Sequence, residues 1–163
     1  MNDTDPVVRP GTPDDVAAIC AFGDVHVGAH YEPLIGADAA DEQVQQWWNE
    51  QTVATAVDGG LVVVAELSDR LVGVAQRGRR GRDHVVYKLY VDPAQRGRGV
   101  GPRLLDALDQ QLPADADRLH IEHFAANERA GSFYEREGFT VVRVEPSPTG
   151  DPALDLVWRS RAR

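Results

Sequence analysis

The stretch Leu89-Tyr90-Val91-Asp92-Pro93-Ala94-Gln95-Arg96-Gly97-Arg98-Gly99-Val100-Gly101-Pro102-Arg103-Leu104-Leu105 reads as a strand, a turn and the start of a helix. Glycine adopts backbone conformations in which a β-carbon would clash, so Gly97, Gly99 and Gly101 let several N–H groups converge on one anion. The helix that follows adds unpaired amides and the positive end of its dipole. Pro102 falls in the first turn, where the missing donor would be unpaired anyway, and Arg96, Arg98 and Arg103 supplement the amides with charge. A diphosphate suits such a cradle.

Two nucleotide classes fail at this segment. No Gly-Lys-Ser/Thr ending is present, which removes a nucleotide-triphosphate loop. A dinucleotide fingerprint would need a third glycine or an alanine where Pro102 stands, and the surrounding elements are not a run of βαβ units. What remains is an arginine-x-x-glycine-x-glycine signature over Arg96, Gly99 and Gly101.

Working outward, Val85 to Val91 reads as the strand that enters the turn, and Val100 to Gln111 as a helix with Val100, Leu104, Leu105 and Leu108 on one face. Downstream follow a strand over Arg118 to Phe124 and a helix over Asn127 to Glu137 ended by Gly138. Two closing strands, Phe139 to Glu145 and Leu154 to Arg159, flank a hairpin loop at Pro146 to Pro152. Upstream, Leu61 to Leu67 and Leu71 to Gln76 pair about Ser68-Asp69-Arg70, and the glycine- and arginine-rich Arg77 to Asp83 reads as a loop. Val7 to Arg9 is a short entry strand, and Thr12 caps a helix from Pro13 to Phe22. Asp24 to Ala37 is irregular in pattern, and a second helix runs from Asp38 through Trp48 toward Val57. The predicted order is β-α-α-β-β-β-α-β-α-β-β, without repeats, in one domain over residues 1–163.

The formal net charge of −9 and pI near 4.9 disfavour broad attraction to nucleic acid or an anionic membrane, and leave an amine-bearing partner as the better match. A single cysteine, Cys20, permits no internal disulfide, fits a reducing compartment and points to the cytoplasm; its place on the first helix reads as packing. The acidic start Met1-Asn2-Asp3-Thr4-Asp5-Pro6 carries no apolar run, and no stretch approaches the ~20 apolar residues that span a bilayer.

With its signature following Leu89-Tyr90-Val91-Asp92-Pro93 and preceding a leucine-bearing helix, the chain resembles the GNAT acetyltransferase superfamily. A second stretch, Asn127-Glu128-Arg129-Ala130-Gly131-Ser132-Phe133-Tyr134-Glu135-Arg136-Glu137-Gly138-Phe139, is similar to that family's second cofactor-side motif. The resemblance implies an α/β fold with a mixed, mostly antiparallel sheet of six to seven strands flanked by about four helices. In it the sheet splays between the strand before the loop and the strand after the loop helix, and acetyl-CoA lies in the splay, leaving as CoA. It further implies that the backbone of Leu89, Tyr90 and Val91 holds the pantetheine arm as an added strand does. Arg96, Gly97, Arg98, Gly99, Val100, Gly101 and Pro102 then surround the diphosphate, Asn127 and Tyr134 complete the cofactor side, and no metal is required.

The reaction so implied is direct attack by a primary amine in a ternary complex. An amine of pKa near 10.4 must first lose a proton at a cost of roughly 4 to 5 kcal/mol at pH 7, and the departing thiolate needs one. By resemblance Tyr134 is the candidate acid; the plain alternative is packing on the cofactor or beside Phe133. Glu122 is the candidate base, placed where family members acting on protein amino termini carry a glutamate. Strand alternation puts His120, Glu122 and Phe124 on one face and Leu119, Ile121 and His123 on the other, without saying which is buried. His123 stands where an aliphatic residue is expected. Many relatives also carry a glutamate early on the strand that enters the loop; here Val85 cannot take a proton, and His84 and Tyr87 become acceptor-site candidates. In the front region Tyr31 and Glu32 are further acceptor candidates, with His26, His30, Trp47 and Trp48 as walls or as ordinary packing. The expected acceptor is a small-molecule amine. A protein amino terminus or lysine is the alternative, as is a non-catalytic acyl-CoA-binding module, and pairing of an edge strand would give a homodimer.

Overall fold

A computed structural model describes residues 5–163; residues 1–4 of the acidic amino-terminal stretch lie outside the described residues. Seven strands form one sheet in the order β1-β2-β3-β4-β5-β7-β6. They are β1 (Val7–Pro10), β2 (Val62–Leu67), β3 (Arg70–Arg80), β4 (Asp83–Val91), β5 (Arg118–Phe124), β6 (Thr140–Glu145) and β7 (Leu156–Ala162). The helices are α1 (Val16–Phe22), α2 (Gly28–Ile35), α3 (Ala37–Trp47), α4 (Glu50–Asp58), α5 (Val100–Gln110) and α6 (Glu128–Arg136). The sheet is mixed as expected: β1–β2, β2–β3, β5–β7 and β6–β7 are antiparallel, and β4–β5 is parallel over Val85↔His120 and Val86↔Ile121.

The described residues gather into two compact units, one comprising residues up to Arg77 with Lys88–Gln111, the other Gly78–Tyr87 with Leu112–Arg163. In the first, Val62 and Val64 of β2 and Val74 of β3 pack with Ile19, Phe22, Trp48, Val53 and Val57 of the front helices. The opposite face meets α5, where a β-carbon at Gly73 would lie 3.0 Å from Leu104 and 3.2 Å from Val100. Covered on both faces, β2 reads as a continuous apolar run rather than an alternating one. Each fully buried leucine of α5 removes apolar surface worth about 1.5–3 kcal/mol. Below β1, the guanidinium of Arg9 forks onto Asp15 at 2.7 and 2.9 Å and reaches Glu66 at 2.7 Å, holding the Asp15 carboxyl down at about 2.

Three expectations about the elements are corrected. The Arg77 to Asp83 loop is instead the end of β3 and the start of β4 around a turn at Gly81, because arginine stems lie extended along a strand as readily as any side chain. The irregular Asp24 to Ala37 is helical: a π-turn over Gly23–Val27 leads into α2, which passes through Pro33. No α2 residue is fully buried, so no apolar stripe marked it. The long second helix is broken at Asn49, whose amide group donates to the carbonyls of Gln45 and Gln46 while its oxygen accepts from the N–H of Thr52 at 2.9 Å, closing α3 and capping α4. Thr12 caps the first helical turn as expected, in a capping box with Asp15: the Thr12 N–H donates to the Asp15 carboxylate at 2.7 Å and the Thr12 carbonyl accepts the Asp15 N–H at 2.9 Å. No helix among the described residues is long and apolar enough to cross a membrane.

Candidate active site

Between β4 and α5 the chain turns at Asp92, whose carboxylate accepts the N–H of Ala94 at 2.9 Å, then runs through Gly97 and Gly99 at φ of +79° and +76°. Gly99 is the cap residue of α5 and supplies no side-chain bond to it, which leaves the amides of the first turn without a side-chain cap among the described residues. A β-carbon at either glycine would meet nothing within 4 Å, and Arg96, Gly97, Arg98 and Gly99 are exposed. Left-handed backbone, a helix start without a side-chain cap, open space and exposed guanidiniums are features whose chemistry suits an oxyanion. Gly101 and Pro102 are half-buried in the first turn, and Val100 is buried.

On β4, Leu89, Tyr90 and Val91 are half-buried. The hydroxyl of Tyr90 donates to that of Tyr31 at 2.6 Å, and the ring of His30 stands edge-on to both, at 5.1 Å from Tyr31 and 5.9 Å from Tyr90. Trp48 packs on Tyr90 from the other side at 5.5 Å. Tyr31, Trp48 and His30 therefore pack around Tyr90. Glu32 and Trp47 are exposed, and His26 packs on Phe22 at 4.6 Å. Cys20 packs half-buried against the same core, and burial pushes its thiol up.

In the second unit β5 resolves its own ambiguity. Leu119, Ile121 and His123 are buried, and His123 lies beneath α6, where a β-carbon at Gly131 would come within 3.1 Å of its ring. Burial holds the His123 imidazole below its usual range; its Nδ1 lies 2.9 Å from the carbonyl of Phe124, and its Nε2 accepts from Arg159 at 3.0 Å. Tyr134 is buried among His123, Phe133 and Phe139, with ring separations of 5.5 to 6.0 Å. Asn127 caps α6 through Ala130. On the half-buried face, burial raises the Glu122 carboxyl, tempered by Arg80. The Tyr87 phenol is raised by burial and then by the charge of Glu122. A polar cavity of about 400 Å³ at the start of β4 and β5 contains His84 and His120 with Arg79, Arg82, Asp83 and Asp117. Val85 is fully buried against this ladder.

Residues 58–141, more than half of the chain, match the profile of the acetyltransferase (GNAT) domain. The chain belongs to the GNAT acetyltransferase family. It is 35% identical over 144 residues to a mycothiol acetyltransferase of Propionibacterium freudenreichii, a match covering 81% of this chain and 42% of that protein. A mycothiol acetyltransferase of Beutenbergia cavernae is 43% identical over 60 residues, 36% of this chain and 20% of the other. The chain thus spans less than half the length of these curated relatives. In fold it is similar to a GNAT protein of Rhodopseudomonas palustris, with a TM-score of 0.77, 24% identity and coverage of 100% and 99% of the two chains. The PaiA N-acetyltransferase of Thermoplasma acidophilum, solved with coenzyme A, aligns at a TM-score of 0.79 with 12% identity over the whole of both chains.

GNAT acetyltransferases use acetyl-CoA, and the main-chain N–H groups of the glycine turn with the exposed Arg96 and Arg98 are donors of the kind its anionic end needs. Reading the sequence as a GNAT member missed Lys88, Trp158, Arg80 and Arg143. Lys88 had a signal, being the only lysine beside sixteen arginines and set in an apolar strand. The two arginines had none, because strand pairing alone brings them to Trp158.

Proposed function

We propose that this protein transfers an acetyl group from acetyl-CoA to the primary amine of a small molecule, releasing CoA. The observation that carries the reading is the Gly97–Gly99 turn at positive φ opening onto the uncapped first turn of α5. The main-chain N–H groups of Gly97, Gly99, Val100 and Gly101, with Arg96 and Arg98, would hold the diphosphate, and the strand edge at Leu89 to Val91 the pantetheine amides. When bound, acetyl-CoA supplies an activated acyl group as a thioester. Glu122 takes the proton of the acceptor ammonium, a task its raised pKa suits better than that of an ordinary surface carboxylate. Tyr134, a phenol with a pKa ordinarily near 10, returns a proton to the leaving sulfur. Tyr31, Tyr87, His84 and the exposed Glu32 belong to the acceptor side. The relatives named for mycothiol acetylation support a small-molecule acceptor over a protein amino terminus or lysine.

One observation favours a second reading, a CoA-binding module without turnover: Val85, fully buried, offers no base at the start of β4. Calorimetry with CoA, followed by thiol release over a panel of amines, separates the readings. Binding with turnover supports transfer, binding without turnover supports the module, and no heat with millimolar CoA removes both. A single half-buried cysteine suits a cytoplasmic setting. Two copies pairing along the outermost strand β6, where Val141, Val142 and Val144 are exposed, would give a homodimer.

A further inference from the structure

Glu122 does not stand alone on its strand face. Across the second unit its direct partner on β7 is Trp158, and the direct partner of Trp158 on β6 is Arg143. Directly opposed residues of antiparallel strands project to the same side, so Glu122, Trp158 and Arg143 form one row over three strands. Arg80, from the end of β3, joins that row: its guanidinium lies 4.9 Å from the centre of the Trp158 ring, and that of Arg143 lies 4.5 Å from it. Both arginine side chains remain about half exposed. Between them they share one ion-paired carboxylate, Glu145, at 3.2 Å from Arg143 and 3.9 Å from Arg80, and both also act on Glu122, so the pair keeps a surplus positive charge only while Glu122, whose carboxyl burial raises, is protonated. Trp158 itself is 2% exposed, yet its buried Nε1–H makes no hydrogen bond to any described residue. A buried indole donor ordinarily finds an acceptor. Here the indole ring that carries the donor lies under two guanidiniums whose geometry favours flat, two-oxygen anions.

We propose that Arg80, Arg143 and Trp158 form a specificity subsite for an oxyanion carried by the amine acceptor, one to two strand spacings from Glu122. This rests on the acetyl-transfer reading above and names its substrate class: an amine bearing a carboxylate or a phosphonate-like group. At about 4.8 Å per strand, the amine and the oxyanion are separated by roughly 5 to 10 Å, which several methylenes span and the single carbon of an α-amino acid does not. The arginines close over the indole without an acceptor and fork onto the oxyanion when it arrives, giving Nε1–H its partner.

The test compares 4-aminobutyrate, 3-aminopropylphosphonate and the neutral 4-aminobutyramide as acceptors for the parent protein and for Arg80→Gln, Arg143→Gln and the double variant. The parent should prefer the anionic acceptors over the amide by at least tenfold in kcat/KM. The double variant should lose that preference through KM for the anionic acceptors, with calorimetric CoA binding unchanged; because both arginines lower the Glu122 carboxyl, the acid limb of its pH profile should move to higher pH for every acceptor alike. The carboxylate and phosphonate arms tell which oxyanion fits better. Independently of turnover, the indole N–H resonance of Trp158, assigned with Trp158→Phe, should shift on adding 4-aminobutyrate and stay in place with the amide. An anionic preference that survives in the double variant, or an indole resonance indifferent to millimolar 4-aminobutyrate, overturns the subsite even if amines are acetylated. If no amine turns over while the resonance still shifts, the subsite stands and the transfer reading falls.

Discussion

The ammonium of Lys88 lies 4.5 Å from the centre of the Trp48 ring and donates to the carbonyl of Trp47. The chain's one lysine is therefore 7% exposed, in a pocket made by the α3–α4 corner. Burial lowers its pKa to about 8. The unfolded chain, with an ordinary lysine near 10.5, binds more protons between those values, so stability should rise as pH climbs from about 8 to 10.5. The full rise amounts to about 3 kcal/mol at about 1.4 kcal/mol per pKa unit. Lys88→Met should flatten it, so that the stability advantage of the variant at pH 7 shrinks by about that amount at pH 10.5. Urea titrations of both proteins across this range check it; parallel pH profiles would refute it.

Trp48 is also pressed from the α1 side. A β-carbon at Gly23 would stand 2.7 Å from Cδ2 and Cε3 of its ring, closer than packed atoms approach. Gly23→Ala should cost about 1–3 kcal/mol by overpacking, despite the better helix propensity of alanine. Thermal melts of the variant should fall by several degrees, whereas Gly28→Ala, whose β-carbon would only touch Val44 at 3.8 Å, should leave them level or higher.

Gly99 carries the opposite expectation. Nothing would crowd a β-carbon there, but the residue holds φ of +76°, so Gly99→Ala should strain the turn by about 1–2 kcal/mol and leave the fold intact. Because the same turn presents the amides of α5, affinity for CoA should drop at least tenfold by calorimetry. Retained affinity would move the diphosphate away from this loop.

Glu122 should write an acid limb into the pH profile. With burial raising its carboxyl, kcat/KM should climb with pH along a limb centred above the ordinary carboxylate value. Glu122→Gln should remove that limb and lower kcat by roughly 10²- to 10⁴-fold. Tyr134→Phe should lower kcat while sparing KM for the acceptor. Wild-type profiles from both variants would remove the two assigned roles.

The glycine turn, the amphipathic α5 with Val100, Leu104, Leu105 and Leu108 inward, β5 at its full length and α6 capped by Asn127 were all legible in the sequence. Each is written in local chemistry: conformational freedom, a 3.6-residue stripe, alternation, a side chain within reach of its own helix end. Of the front helices, α1 and the helical span from Asp38 toward Val57 were legible, but α2 and the break at Asn49 were not, because α2 buries no residue completely and Asn49 both ends α3 and begins α4 inside one polar run. Which face of β5 is buried, that Tyr31 meets Tyr90, and that Arg80 and Arg143 flank Trp158 beside Glu122 were decided only by tertiary structure. These relations join residues 15 to 78 positions apart through strand register and helix packing, and no local pattern encodes which distant element will lie alongside.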